Sequence, residues 1–239
     1  MLVKTEAIVL SSIKYRDADL IVKCYTKALG NVSFMVKGVL KSKKGKFRSA
    51  MFQAFSLIDI EMQYRQKGQL EYFKDIQISN HLNNIQSNVY KSALVMFLAE
   101  ILKSVIVEEE QNDRLFDFIK GNILHLETST RYANFHLSFL LNLSSFLGFY
   151  PHKPEHNNEV YFNLSEGHFE PVESLYSLNL EHSMILKNLL GMKSSDMENI
   201  NLSKTQRRDM LNFLLSFYEL HIENFKTPKS LEVFESIFS

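Results

Sequence analysis

The chain has 239 residues, of which 45% are hydrophobic and 23% are charged, and this composition is typical of a folded globular protein rather than a disordered one. Its single cysteine, Cys24, excludes a framework of intrachain disulfides and favours a reducing compartment. The chain has no run of about 18 apolar residues and no signal-peptide core at its start, so we expect a cytoplasmic protein without a membrane partner.

The formal net charge is zero, but the charges are unevenly distributed. Residues 1–80 contain 14 Lys and Arg against 7 Asp and Glu, and by subtraction from 27 of each the remaining residues contain 13 against 20. The chain therefore joins a segment of charge +7 to a segment of charge −7. This separation favours two surfaces for different partners, with a polyanion as the partner of the first.

The first eighty residues contain five short segments with the pattern of β-strands. Polar and apolar residues alternate at residues 20–25 and 32–37, on either side of a turn at Gly30 and Asn31. The other candidate strands are residues 7–10, 55–62 and 69–74. Five short strands separated by turn residues predict a small closed β-barrel over residues 1–79, of the OB type or, as the alternative, of the SH3-like type.

Residues 36–49 form a strongly cationic segment, called the arm below. Six basic residues and no acidic residue lie between Lys37 and Arg48. Such dense charge is not buried unpaired, so we expect the arm to project into solvent, either as a site for a polyanion or as a plain solvated loop. The predicted DNA-binding residues are Arg16, Lys37, Lys41, Lys43, Lys44, Lys46 and Arg48.

Aromatic residues beside these basic residues are candidate platforms for nucleic-acid bases, because small barrels bind single strands with a cationic groove and stacking rings. Tyr15 and Phe47 each stand next to basic residues and are the best candidates, with ordinary packing as the alternative. Phe34 is in phase with Val32 and Val36, which places it in the barrel core.

After residue 80 the hydrophobic period becomes that of α-helices. Apolar stripes predict helices over about residues 85–105, 115–126 and 132–147. The sequence therefore predicts an α+β protein, in which a five-stranded barrel precedes an α-helical domain at residues 80–239.

An irregular insertion interrupts the helical domain at about residues 149–180. It contains three prolines and a predicted hairpin, with strands at 160–164 and 168–169. Two helices are expected to follow, one at 181–190 and one that begins at Ser203, whose spacing to Gln206 is that of a capping box.

The sequence contains no catalytic motif that we recognise. It lacks a phosphate-binding loop, a dinucleotide fingerprint and a His-Glu-x-x-His pair, so we expect a protein that is not an enzyme. Cys24 lies in a strand pattern and is expected to be a small buried side chain. His136 lies on the apolar stripe of residues 132–147 and is expected to be a hydrogen-bonded core histidine rather than a metal ligand.

Several short stretches, taken in their order and spacing, resemble the RecO family of bacterial DNA repair proteins. They are Thr5-Glu6-Ala7-Ile8-Val9-Leu10, Tyr15-Arg16-Asp17-Ala18-Asp19, Tyr25-Thr26, Gly30, Lys37-Gly38, Phe55-Ser56-Leu57, Leu147-Gly148-Phe149-Tyr150-Pro151 and Lys226-Thr227-Pro228-Lys229-Ser230-Leu231. The resemblance implies an N-terminal OB barrel and a helical C-terminal domain. It also implies binding and annealing of single- and double-stranded DNA, and cooperation with RecR and single-stranded-DNA-binding protein in loading RecA.

The chain departs from the family pattern in the insertion. Many relatives hold a zinc ion there with two cysteine pairs, whereas residues 148–180 of this chain contain no cysteine. His152, His156 and His168 remain, but three histidines without thiolates are a poor structural zinc set. We therefore expect no metal and no other cofactor.

The resemblance also implies a partner for the helical domain. Phe and Leu are more abundant at residues 132–147 and 210–220 than one core stripe needs, which favours an apolar groove. Its expected ligand is the acidic, aromatic-ended C-terminal tail of single-stranded-DNA-binding protein. Two other functions remain open, a non-catalytic protein-interaction scaffold and an RNA-binding OB-fold protein.

Overall fold

The computed structural model describes residues 1–41, 47–65, 70–106, 110–192 and 194–238. By its internal contacts the chain divides into two compact units, residues 1–128 with 228–230, and residues 129–227 with 231–239. The predicted division at residue 80 marks the change from strands to helices along the chain. As a boundary between domains it stays a prediction.

The first unit begins with a five-stranded antiparallel sheet. Its strands are β1 (Leu2–Tyr15), β2 (Asp19–Thr26), β3 (Gly30–Val36), β4 (Leu57–Gln63) and β5 (Phe73–Asn80), in the order β3-β2-β1-β4-β5. Glu71, just before β5, closes the sheet by pairing in parallel with β3. Its N–H donates to Ser33 O and its carbonyl accepts from Met35 N, both at 2.9 Å. The predicted α+β fold with an OB-type barrel is confirmed.

One face of each strand fills the barrel core, as the alternating pattern predicts. Phe34 is fully buried and stacks on Phe73, with ring centroids 3.9 Å apart. Cys24 is also fully buried, and burial raises the pKa of its thiol far above the ordinary value. Both residues therefore play the packing roles that the sequence predicts.

The turn between β2 and β3 requires the glycine found there. Gly30 has a φ of 64°, in the left-handed region that favours glycine. A Cβ at this position would lie 2.5 Å from the carbonyl oxygen of Glu110. The backbone of the turn can therefore approach the segment before the third helix only if residue 30 has no side chain.

The fifth strand lies later in the chain than predicted, at residues 73–80 instead of 69–74. Only Ile76 of β5 is buried, so its own alternation is weak. Pairing with β4 decides its position, because Ile76 lies opposite Ile60 and Ile78 opposite Ile58. The strand is thus determined by a partner that is distant in sequence.

The first unit continues with α1 (Asn83–Ser87), α2 (Val89–Val105) and α3 (Asp113–Thr128). The single helix predicted at 85–105 is wrong, because Asn88 divides it. The Asn88 side chain accepts hydrogen bonds from the N–H groups of Tyr90 and Lys91 and so caps α2. Val89 is consequently exposed rather than part of the buried stripe.

The second unit combines helices with a small hairpin. Its elements are α4 (Phe135–Phe146), β6 (Tyr161–Asn163), β7 (His168–Glu170), α5 (Leu180–Leu189), α6 (Ser194–Met197), α7 (Lys204–His221) and α8 (Leu231–Phe238). The predicted hairpin and the capping box of Ser203 and Gln206 are confirmed. Helices α6 and α8 were not expected. None of the described helices combines the length and apolarity needed to cross a bilayer.

The hydrogen bonds of Glu100 on α2 predict that the stability of the first unit depends on pH. Its carboxylate accepts hydrogen bonds from Lys229 N, Ser230 N and Ser230 Oγ at 2.7 to 3.0 Å. Burial raises the pKa of Glu100, but these bonds outweigh burial and hold the pKa below its ordinary value of 4.5. A depressed pKa stabilises the fold above pH 4.5, and this contribution is lost as the pH falls through the folded-state pKa.

Replacing Glu100 by Gln should therefore destabilise the protein at pH 7 and have a smaller effect near pH 3. We expect a loss of at most about 1 kcal/mol at pH 7, because the carboxylate is only partly shielded from solvent. Urea unfolding of the wild type and the Glu100→Gln variant at both pH values is the measurement. A difference that does not change with pH would show that the ionised carboxylate has no such role.

Candidate nucleic-acid interface

The base of the arm is tied to the turn between β1 and β2. Gly38 N donates to Asp19 Oδ1 at 2.8 Å, and Leu40 N donates to Ala18 O at 3.0 Å. Asp19 is also the pairing partner of Tyr15 across the β1–β2 ladder. These bonds bring the turn and the start of the arm together at one end of the barrel.

Two cation–aromatic pairs lie at this end. The guanidinium carbon of Arg16 is 5.2 Å from the centre of the Tyr15 ring, and Lys37 Nζ is 5.4 Å from the centre of the Tyr72 ring. Both rings are partly open to solvent, with Tyr15 38% exposed and Tyr72 41% exposed. We call Tyr15, Arg16, Lys37, Lys41 and Tyr72 the barrel end.

The structure describes four of the seven predicted DNA-binding residues. Arg16, Lys37, Lys41 and Arg48 are all exposed. Lys43, Lys44 and Lys46 lie outside the described residues. Among described residues, the ion pairs involve none of the four exposed members. Their positive charge is therefore available to an anionic ligand.

Four other lysines of the first unit lie beside carboxylates that compensate their charge. Lys4 and Lys74 both pair with Glu61, and their ammonium groups hold the pKa of that carboxyl below its ordinary value. Lys27 pairs with Asp117 at 2.8 Å, and Lys120 pairs with Glu6. The described members of the predicted DNA-binding set, Arg16, Lys37, Lys41 and Arg48, have no such carboxylate partner.

The structure separates the two predicted stacking residues. Tyr15 is exposed beside a cation, as predicted, whereas Phe47 packs against the barrel core and meets Phe73 edge-on at 6.3 Å. Phe47 therefore takes the packing role that was its alternative. Tyr72 was missed, because the cation over its ring comes from Lys37, 35 positions earlier in the sequence. No local spacing signals such a pair.

The second unit contains a cavity of about 250 Å³ between α4, α7 and α8. Its apolar lining consists of His136, Leu211, Phe234 and Phe238. The polar lining residues are Lys204, Thr205, Arg207, Arg208 and Glu235. The cavity thus combines aromatic walls with three cations from the first turns of α7.

The three cations of the cavity differ in how accessible they are to a ligand. Arg207 Nη1 donates to the carbonyl oxygen of Leu202 at 2.7 Å, so part of its guanidinium is engaged by the backbone. Arg208 has 60% of its side chain exposed, and its Nε lies 3.7 Å from Asp209 Oδ1. Lys204 is exposed. Lys204 and Arg208 are therefore the cations that a ligand reaches most easily.

His136 is buried, as predicted, but it is not fully hydrogen-bonded. Its ring lies 5.0 Å from that of Phe234, and its Nδ1 has no hydrogen-bond partner among the described residues. Burial, with a smaller contribution from Arg207, lowers the pKa of His136 to about 3. The imidazole is therefore neutral at physiological pH and forms part of the apolar wall.

The surroundings of the insertion histidines show how far they resemble a metal site. His168 Nε2 lies 3.9 Å from Glu170 Oε1, and its Nδ1 lies 3.3 Å from the carbonyl oxygen of Glu166. Across the part of the chain that the structure describes, no group of three or more His, Cys, Asp or Glu side chains could hold a metal ion. The described residues therefore do not fit the zinc ion that the resemblance implies for family members with the cysteine pairs.

A metal-free fold stays a prediction, and elemental analysis tests it. Protein purified without added metal should contain less than stoichiometric zinc, and a chelator should leave its melting temperature unchanged. Stoichiometric zinc whose removal melts the protein would contradict this expectation.

The sequence matches known proteins over its whole length. The model described as "Recombination protein O N terminal" matches residues 1–82, and the one described as "Recombination protein O C terminal" matches residues 86–231. Proteins named "DNA repair protein RecO" from Christiangramia forsetii, Flavobacterium psychrophilum and Bacteroides fragilis are 42%, 38% and 36% identical. Each alignment covers all of this chain and all of the relative. The chain therefore belongs to the RecO family of DNA repair proteins.

Proposed function

We propose that this protein is a DNA-binding recombination mediator without enzymatic activity that acts in the cytoplasm. It binds and anneals DNA, and together with RecR it helps RecA to load onto single-stranded DNA coated by single-stranded-DNA-binding protein. The names of its relatives support a role in DNA repair. The chemistry of the barrel end supports DNA binding, and that of the second-unit cavity supports binding of the tail of single-stranded-DNA-binding protein. Annealing and the steps with RecR and RecA rest on the resemblance to the family.

The observation that carries this proposal is the concentration of uncompensated cations beside exposed rings at one end of an OB-type barrel. Arg16 lies next to Tyr15, and Lys37, which belongs to the arm, lies next to Tyr72. Such cations attract the phosphates of any nucleic acid, whatever its base sequence. Each phosphate contact on a single strand contributes about −0.7 to the slope of log K, the binding constant, against log salt concentration. We therefore expect tight, salt-sensitive binding with little sequence preference.

Binding to labelled oligonucleotides over a salt series tests the proposal. The wild type should bind unrelated sequences with similar affinities and a steep negative salt slope. Competition between DNA and RNA of the same sequence tests the alternative of an RNA-binding protein, which predicts a preference for RNA. Absence of salt-dependent binding to DNA and RNA alike would favour a protein-interaction scaffold.

The second-unit cavity supports a separate interaction, with the C-terminal tail of single-stranded-DNA-binding protein. An acidic peptide that ends in an aromatic residue could place its ring against Leu211, Phe234 and Phe238. Its carboxylates would then meet Lys204 and Arg208 at the rim. Capture of a carboxylate by a basic pocket with apolar walls is a recurring mode of peptide recognition.

Reversing the charge of Lys204 and Arg208 should weaken binding of this tail at least about tenfold, because each change replaces an attraction with a repulsion. Fluorescence anisotropy with a labelled tail peptide is the measurement. Lys187→Glu is the matched control, since Lys187 is an exposed lysine of α5 that does not line the cavity. Equal affinities for the Lys204→Glu/Arg208→Glu variant and the wild type would exclude the cavity as the tail site.

The interaction with RecR is the part of the proposal that has no assigned surface. A pull-down of purified RecR with the full-length protein, repeated with the barrel-end and cavity variants, would identify the unit that RecR requires. RecA loading is then measured as RecA-dependent ATP hydrolysis on coated single-stranded DNA. The proposal predicts that loading needs both RecR and this protein, and loading that is unchanged without this protein would contradict it.

A further inference from the structure

We propose that Tyr15 and Tyr72 are stacking platforms for unpaired bases, so that the barrel end prefers single-stranded over duplex nucleic acid. This inference rests on the proposed DNA-binding function and adds a strand preference that phosphate contacts alone do not provide. Its evidence is the geometry of the two cation–aromatic pairs.

Both rings are exposed but carried by rigid backbone. Tyr72 follows Glu71, whose N–H and carbonyl both bond to β3 at the seam that closes the barrel. Tyr15 is the last residue of β1 and pairs with Asp19 at the start of β2. A ring fixed in this way loses little conformational freedom when a base stacks on it, which favours binding.

Each ring has a cation at nearly the same distance, 5.2 Å for Arg16 and 5.4 Å for Lys37. Every nucleotide of a single strand offers a π-face and a phosphate, which match a ring and a neighbouring cation. In a duplex the phosphates remain accessible, but the faces of the bases are covered by their stacked neighbours. The rings therefore contribute to binding of single strands only.

An exposed tyrosine is common on protein surfaces and by itself indicates no ligand. Tyr176, in the second unit, is such a residue, with 50% of its surface exposed and no described cation over its ring. Tyr15 and Tyr72 differ from it in having a paired cation and in lying beside the base of the arm. Tyr176 consequently serves as the matched control.

The test measures the affinity of the full-length protein for three labelled probes at one salt concentration. The probes are a single-stranded DNA, an abasic strand of the same length that keeps the phosphates but lacks the bases, and a duplex. The variants are Tyr15→Ala, Tyr72→Ala, Tyr72→Phe and the control Tyr176→Ala. Melting temperatures establish that each variant is folded.

We expect each barrel-end alanine variant to bind the single strand about tenfold more weakly, within the range typical of one base on one ring. Binding of the abasic strand and the duplex should change less than twofold. Tyr72→Phe should keep most of the affinity of the wild type, because it retains the ring, and Tyr176→Ala should bind every probe like the wild type.

Two results would overturn the inference while leaving the proposed function intact. In one, the alanine variants bind the single strand as tightly as the wild type. In the other, they weaken all three probes equally, which would indicate a general loss of structure or charge. A wild type that binds none of the probes would contradict the proposed function itself, so the two failures are distinguishable.

Discussion

Removing four positive charges from the arm is expected to weaken binding of single-stranded DNA by hundreds of times at about 0.1 M salt if all four charges meet phosphates. The variant replaces Lys41, Lys43, Lys44 and Lys46 by Ala. At about 0.7 per contact, four lost contacts flatten the slope of log K against log salt by about 3, and partial engagement gives proportionally less. Fluorescence anisotropy with unrelated oligonucleotides over a salt series is the measurement.

The matched control removes the same number of charges from exposed lysines outside the barrel, namely Lys153, Lys187, Lys226 and Lys229. It should keep most of the affinity and nearly the full salt slope, since its lysines lie outside the proposed site. The arm variant should also keep its melting temperature. If the arm variant binds like the wild type, the DNA site lies elsewhere, and Arg207 and Arg208 are the next residues to change.

Truncating Phe34 to Ala is expected to lower the free energy of unfolding by about 3–5 kcal/mol, the range typical of a buried Phe replaced by Ala. Phe34 is fully buried and stacks on Phe73 beside the seam that closes the barrel. Loss of its ring leaves a cavity that this closed structure cannot fill by a small movement. Urea unfolding of the full-length protein is the measurement.

Ile13→Ala is the matched control for this truncation, because Ile13 lies on the same sheet but is 54% exposed. It should cost well under about 1 kcal/mol, since surface substitutions away from special features change stability little. A similar small loss for Phe34→Ala would mean that the barrel interior is not packed around this ring.

Local pattern predicts the barrel well because its core follows one simple period. Alternation at β2 and β3 identifies Val22, Cys24 and Phe34 as inward-facing, and all three are fully buried. The turn between these strands is equally local, since Gly30 is required by its own backbone angle. Such features depend on few distant contacts, so one sequence is enough to find them.

The errors in the predicted strands and helices arise where a partner distant in sequence or a single side chain determines the position of the element. The position of β5 depends on pairing with β4, and the break between α1 and α2 depends on one capping group of Asn88. Helix α8 has only eight residues, so its formation depends on packing rather than on its own propensity. The hydrophobic period contains none of this information.

The candidate sites likewise combine features that the local sequence predicts with features that depend on distant contacts. The exposed cations Lys37 and Lys41 are visible in the sequence as part of a run of charge, and the structure places them in solvent. The pairing of Lys37 with Tyr72 appears only when the barrel closes. The second-unit cavity likewise needs three helices, one of which the sequence analysis did not predict.

The central claim is that DNA binds at the barrel end of the first unit, and amide hydrogen exchange with and without single-stranded DNA tests it most directly. We predict slower exchange on DNA binding at residues 16–18, 37–41 and 71–72, with the largest change in the arm. Exchange in the second unit should be nearly unchanged. Protection confined to the second unit, with unchanged exchange at the barrel end, would contradict the claim.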